Sequence, residues 1–173
     1  ITNGRLFVEG GAVLNIPNAI TYDVTGIRFG QDPSQIVSVK GAGSRLNLSS
    51  VQTLKVGYPH TWGDGTALFE ARDGGIVDLS NLVSITNNAW FLFNTRIETS
   101  GGGRFLFNKL EQVTTTSGAF LKIDFVGENN PFPSLKRAEG FEVLVGPGEF
   151  IRFPELITID RSRVTNEGGE LEA

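Results

Sequence analysis

One pattern of apolar and turn residues recurs along this chain. Residues 145–159, VGPGEFIRFPELITI, place their glycine turn and apolar side chains where residues 71–85, ARDGGIVDLSNLVSI, place theirs. In each copy an apolar anchor is followed by apolar residues three and six positions later, as at Phe153, Leu156 and Ile159. Recurrence of this kind is typical of proteins that stack similar units. The earlier copies of the triplet are Ile16, Ala19 and Tyr22; Leu48, Val51 and Leu54; Leu79, Leu82 and Ile85; Phe107, Leu110 and Val113; and Phe132, Leu135 and Ala138.

Each copy arranges the same parts in the same order. A short alternating segment such as Val143/Val145 comes first, a glycine turn such as residues 146–148 follows, and an apolar residue such as Ile151 comes two positions before the anchor. Alternation with period two predicts strands, and no segment keeps a helical period. One unit cannot bury its apolar face alone, whereas stacked units bury a continuous column.

The sequence therefore predicts an all-β fold, a single-stranded parallel β-helix (β-solenoid), as one domain over residues 1–173. Six copies predict six coils, where a coil is one turn of the stack. Residues 167–173 begin a partial seventh coil, with Leu171 at the position of Ile151. Parallel crossovers are nearly always right-handed, so we expect a right-handed solenoid. One apolar position is broken, because Asn130 occupies it in the fifth copy.

The coils are expected to shorten toward the C-terminus. The segment between the third apolar position and the next strand runs from Tyr22 to Val37 in the first copy but only from Ala138 to Val143 in the fifth. The difference is an insertion on one side of the stack. Loops that protrude from a rigid scaffold are where binding and catalytic residues concentrate, so this side is the place to look for function.

The pattern V-x-V-x-G-G-x-L-x-L-P-x-L-x-x-I resembles the right-handed parallel β-helix repeats of large bacterial surface and secreted proteins, adhesin-like in character. The resemblance covers nearly the whole chain and implies an extracellular or cell-surface location. It implies a structural stalk or a module for adhesion and glycan binding. The wider β-helix superfold also includes polysaccharide-degrading enzymes and phage fibres that trimerise along their sides, so the fold alone does not assign a function. Leucine-rich repeats are a second resemblance, but the chain lacks their asparagine ladder and their helical stretch.

Composition narrows the functional classes. A net charge of −4 and a pI near 5.0 argue against nucleic-acid binding, which needs a basic footprint. The chain has no Cys, which excludes disulfides and thiolate zinc sites. No apolar run approaches the roughly 20 residues needed to span a bilayer, so we expect no membrane insertion. The chain begins with Ile and contains no Met, which we interpret as a fragment of a longer protein.

No nucleophile elbow, zinc-protease motif or phosphate-binding loop is present, which favours a non-catalytic role. The one candidate for catalysis is a row of carboxylates, Glu70, Glu98 and Asp124, at the outward positions of three successive strands. Such a row could provide the acid and base of a polysaccharide hydrolase or lyase, or bind Ca²⁺; otherwise the sequence indicates no cofactor. The alternative is structural, because Arg72 and Arg96 would neutralise the carboxylates as cross-strand pairs. A slip of one residue would turn the row inward.

The candidate for ligand binding is the insertion side of the stack. Residues 56–66, VGYPHTWGDGT, carry Tyr58, His60, Trp62 and Asp64, and the next insertion, residues 86–94, carries Trp90. Aromatic faces beside amides and carboxylates suit a sugar, so a glycan or cell-surface ligand is the expected partner. The alternative is that the tryptophans fold back and cover the column.

The two ends of a parallel stack expose unpaired strand edges, and the sequence shows no polar cap at either end. End-to-end self-association is therefore also expected.

Overall fold

A computed structural model describes residues 1–27, 33–57, 65–88, 93–116, 119–125 and 132–172. These residues form short strands and no helix. In chain order the strands are β1 (Leu6–Glu9), β2 (Val13–Asn15), β3 (Thr21–Asp23), β4 (Ser34–Lys40), β5 (Arg45–Asn47), β6 (Thr53–Val56), β7 (Gly65–Arg72), β8 (Ile76–Asp78), β9 (Ser84–Asn87), β10 (Phe93–Ser100), β11 (Arg104–Leu106), β12 (Gln112–Thr115), β13 (Phe120–Phe125), β14 (Arg137–Glu139), β15 (Phe141–Val145), β16 (Phe150–Arg152), β17 (Thr158–Asp160), β18 (Arg163–Asn166) and β19 (Glu170–Glu172).

The strands form three faces of a parallel stack. The first sheet has the order β1-β4-β7-β10-β13-β15-β18, and the third has the order β3-β6-β9-β12-β14-β17. The second face consists of a four-stranded sheet, β2-β5-β8-β11, and a separate pair, β16-β19. The copy between β11 and β16 includes residues 126–131, which lie outside the described residues. The chain therefore visits the three faces in turn, which is the parallel β-solenoid that the repeat predicts.

The observed register matches the repeat position by position. Tyr22 pairs with Leu54, and Leu54 pairs with Ile85, so the third apolar residue of each copy lies beside its equivalent in the next. Leu171 pairs with Ile151, as the partial seventh copy predicts. Such agreement arises because each coil buries the same positions, and any shift of one residue would expose them. The prediction of an all-β parallel solenoid is confirmed; its handedness and coil number stay predictions.

The core is the column enclosed by the three faces, and phenylalanine rings run through its C-terminal half. Phe107, Phe132 and Phe153 are the anchors of successive copies and are almost completely buried. The ring centroids of Phe107 and Phe132 are 6.2 Å apart with planes 14° apart, and those of Phe132 and Phe153 are 6.0 Å apart with planes 12° apart. Phenylalanine rings of successive coils thus stack along the axis, and each ring adds to the apolar surface that its coil buries.

The first sheet departs from simple alternation in two strands. The pairing of β4 with β7 shifts between Gln35 and Val37, which is a bulge, and Ile36 is fully buried beside the inward Val37. In β7 the outward Leu68 and Glu70 are buried as well as the inward Phe69. A bulge changes the direction of the side chains next to it, and the repeat pattern does not predict where a bulge occurs.

Candidate functional site

The predicted carboxylate row is present as a continuous register. Glu70 pairs with Glu98, and Glu98 pairs with Asp124, so the three residues lie side by side in β7, β10 and β13. They alternate with the inward residues of their strands and therefore belong to the outer face of the first sheet. The row continues as Ser38 on one side and Leu144 on the other, both uncharged.

Glu70 is enclosed rather than presented to solvent. It is 2% exposed, and Gln35 Nε2 donates a hydrogen bond of 2.6 Å to its Oε2. Arg72, two positions along the same strand, forms an ion pair with its Oε1. The sequence correctly predicts that Glu70 lies on the outer face of the sheet. It does not predict that the side chain is buried there. The bulge in β4 explains the difference, because it brings the Gln35 amide against this carboxylate.

The three carboxylates share two guanidinium groups in an alternating chain. Arg72 lies 3.9 Å from Glu98 Oε2 in addition to its pair with Glu70. Arg96 forms an ion pair with Glu98 and lies 3.5 Å from Asp124 Oδ2. Side-chain exposure rises along the row from 2% at Glu70 to 17% at Glu98 and 25% at Asp124. The carboxylates are therefore engaged in cross-strand and same-strand ion pairs, with the most exposed side chain at the Asp124 end of the row.

The binding of Ca²⁺ by this row stays a prediction. Within the described part of the chain, no group of three or more His, Cys, Asp or Glu residues is placed to hold a metal ion. A Ca²⁺ ion takes six to eight oxygen ligands. In this row a cationic side chain is paired with each carboxylate instead.

The ligand-binding candidates Tyr58, His60, Trp62, Asp64 and Trp90 lie outside the described residues. The residues that flank them are described, and they are paired. Val56 pairs with Asn87 where the two insertions leave the stack, and the Asn88 N–H donates a 3.1 Å hydrogen bond to the Val56 carbonyl. Gly65 pairs with Phe93 where they return. Both insertions therefore begin and end at neighbouring positions of adjacent coils.

The sequence analysis missed the polar residues that line the core beside these insertions. Asn87 is fully buried, and so is Thr95 on the returning strand. Thr115 pairs with Asn87 in the next coil, and its hydroxyl donates a 3.1 Å hydrogen bond to the Ala119 carbonyl. In the sequence these residues are marked only by a departure from the pattern, because a polar residue occupies a position that the alternation predicts to be apolar.

Comparisons with known proteins add no assignment, because no family model, curated protein or solved structure matches the chain. The described residues contain no helix that is long and apolar enough to cross a membrane.

Proposed function

We propose that this chain is a non-catalytic β-solenoid segment of a large bacterial surface or secreted protein, where it serves as a structural stalk or as an adhesion module that binds glycans. The observation that carries the proposal is the ion pairing of the carboxylate row. Glu70, Glu98 and Asp124 are engaged with Arg72 and Arg96. Ion pairs along such a row stabilise the sheet. The insertion side then remains as the surface for recognition of a glycan.

The insertion side suits a glycan for two reasons. Its sequence concentrates Tyr58, His60, Trp62, Asp64 and Trp90, which combine ring faces with polar groups. Its two insertions are flanked by paired strands at both ends, so the sheet holds the residues on either side of each insertion in place. Binding sites on rigid elements lose less conformational entropy when a ligand binds.

The binding proposal is tested on a glycan array with the purified chain. We expect Trp62→Ala or Trp90→Ala to reduce the affinity for any retained glycan at least tenfold, since ring stacking contributes much of the energy at sugar sites. Phe7→Ala is the matched control, because Phe7 is an aromatic residue that is 56% exposed on β1 and belongs to neither insertion. Equal binding by all three variants would contradict the assignment of the ligand to the insertions. Absence of any bound glycan would leave the stalk role as the whole of the proposal.

Catalysis by the carboxylate row is the alternative that must be tested, because a pair of neighbouring carboxyl groups can supply the acid and the base for cleavage of a glycosidic bond. We expect no release of reducing ends or unsaturated sugars from a panel of neutral and acidic polysaccharides. Turnover by the parent chain that disappears in Glu98→Gln, with an unchanged circular dichroism spectrum, would overturn the non-catalytic proposal.

A further inference from the structure

The outer face of the first sheet carries a short row of three residues at the end that adjoins the insertions. Thr66 pairs with Asn94, and Asn94 pairs with Phe120, so a hydroxyl, an amide and an aromatic ring lie on three successive strands. They alternate with inward residues of the same strands, such as the buried Leu121, and therefore face outward. This row combines the kinds of group that recognise a sugar.

The row is accessible to a ligand. The Phe120 side chain is 40% exposed, and Asn94 beside it is exposed as well. Neighbouring strands of a sheet are about 4.8 Å apart, so the amide lies next to the ring. An exposed amide both donates and accepts hydrogen bonds, which suits the hydroxyl groups of a sugar.

A cationic side chain follows on the same outer face. Lys122 lies two positions after Phe120 in β13, which places their Cα atoms about 7 Å apart. Glu142 is the register partner of Lys122 on β15, yet within the described part of the chain Lys122 forms no ion pair. The carboxylate of Asp124, two positions further along β13, is paired with Arg96 instead.

The charges around Lys122 favour a bound anion. Arg96 is directly opposite Lys122 in the register, and like charges in this position repel each other. Arg96 is neutralised by its ion pairs with Glu98 and Asp124, whereas the Lys122 ammonium keeps its full charge. A negatively charged group bound at Lys122 would offset the repulsion between the two cations.

The insertions lead directly into this part of the sheet. Gly65 and Phe93 are paired where the chain returns from the two insertions, and Thr66 and Asn94 are the next residues along their strands. A glycan held by the insertions therefore reaches Phe120 by extending across one further strand.

We infer that Asn94, Phe120 and Lys122 form a subsite for an acidic sugar residue, one that carries a carboxylate or a sulfate group. The face of the sugar ring packs on Phe120, and the Asn94 amide exchanges hydrogen bonds with the hydroxyl groups. The Lys122 ammonium pairs with the anionic group. This inference rests on the proposed glycan binding and adds the class of sugar that is bound.

Titration calorimetry with three probes tests the inference. The probes are a tetrasaccharide of alternating glucuronate and N-acetylglucosamine, its carboxyl methyl ester, and a sulfated form of the same ester. We expect at least one acidic form to bind more tightly than the neutral ester by about fivefold, the upper value for an exposed ion pair. The preferred acidic form distinguishes recognition of a carboxylate from recognition of a sulfate. This preference should decrease as the salt concentration rises, because salt screens exposed charges.

Variants assign the preference to single side chains. Lys122→Gln should lower the affinity for the acidic form about fivefold and leave that for the ester unchanged, whereas Lys122→Arg should retain the preference. Phe120→Ala should weaken the binding of both forms. Lys55→Gln is the matched control, because Lys55 is an exposed lysine on the outer face of the third sheet, and it should bind like the parent chain. Circular dichroism establishes that each variant keeps its β structure.

Several results would overturn the inference. Equal affinity of the parent chain for the acidic forms and the ester is one, and a Lys122→Gln variant that retains the preference is another. A chain that binds neutral glycans through Trp62 and Trp90 but neither acidic probe refutes this subsite and leaves the proposed function standing. A chain that binds no glycan of any kind refutes the subsite together with the glycan part of the proposed function.

Discussion

At the scale of single residues, Asp78 shows how one side chain fixes the turn between two faces. Its Oδ1 accepts a 3.1 Å hydrogen bond from the Ser80 N–H, and its Oδ2 accepts a 2.5 Å bond from Arg45 in the preceding coil. Burial raises the pKa of Asp78, but the hydrogen bonds from Ser80 and Arg45 outweigh it and hold that pKa below its usual value. In the preceding coil Asn47 makes the same turn with a neutral amide, which accepts a 3.1 Å bond from the Ser49 N–H.

Asp78→Asn should therefore keep the turn and remove only the charged pair. We expect the free energy of unfolding at pH 7 to fall by about 1.5–3 kcal/mol, the range for hydrogen bonds to charged groups. Because the pKa of Asp78 is lowered on folding, its stabilising contribution is present above the unfolded pKa of about 4 and is lost as the pH falls through the folded pKa. The difference between the urea midpoints of the two proteins should therefore decrease as the pH is lowered from about 7 to about 3. A gap that stays constant over this range would refute the charge assignment.

At the scale of elements, the turns between the first and second faces explain the many glycines in the sequence. The Gly75 N–H donates a 2.9 Å bond to the Arg72 carbonyl, and the Gly103 N–H donates a 3.0 Å bond to the Ser100 carbonyl in the next coil. A Cβ on Gly103 would lie 2.1 Å from the carbonyl oxygen of Ala71. Neighbouring turns approach each other so closely that the backbone of one coil occupies the space of a side chain in the next.

Gly103→Ala should destabilise the stack by about 1–3 kcal/mol, because the backbone of Ala71 must move to admit the methyl group. Gly146→Ala is the matched control in an equivalent turn, where the atoms nearest to the new Cβ would be those of the Glu149 carboxyl group, at 3.3 Å or more. Thermal denaturation of both variants measures the difference. Equal melting temperatures would show that the turns have more room than the structure indicates.

Among the strands, features that repeat in every coil could be predicted from the sequence, and features of a single coil could not. The repeat predicted which residues of β7, β10 and β13 stack, because every coil buries the same positions. It did not predict the bulge at Ile36, or the resulting contact between Gln35 and Glu70, since these occur in one coil only. The pattern thus predicted the carboxylate row but not its accessibility. The side chains of Trp62 and Trp90 belong to insertions whose length and sequence differ from coil to coil, so repetition carries no information about them.

At the scale of the whole molecule, the solenoid has two kinds of surface with different physical character. Its sides are closed by parallel pairing and by ion pairs such as Arg72 with Glu70. Its ends expose strand edges together with apolar side chains such as Ile157 and Ile159, which are 82% and 52% exposed. The proposed glycan surface belongs to the sides of the stack.

The row from Tyr22 through Leu54 and Ile85 to Ile159 has a genetic consequence. Since each layer offers the next layer the same template, duplication or deletion of a segment that spans one complete repeat preserves every pairing above and below it. Loss of a single codon within a strand has a far larger effect, because it turns that strand's buried side chains outward. The length of such a molecule can therefore change in whole layers during evolution, while its cross-section stays fixed.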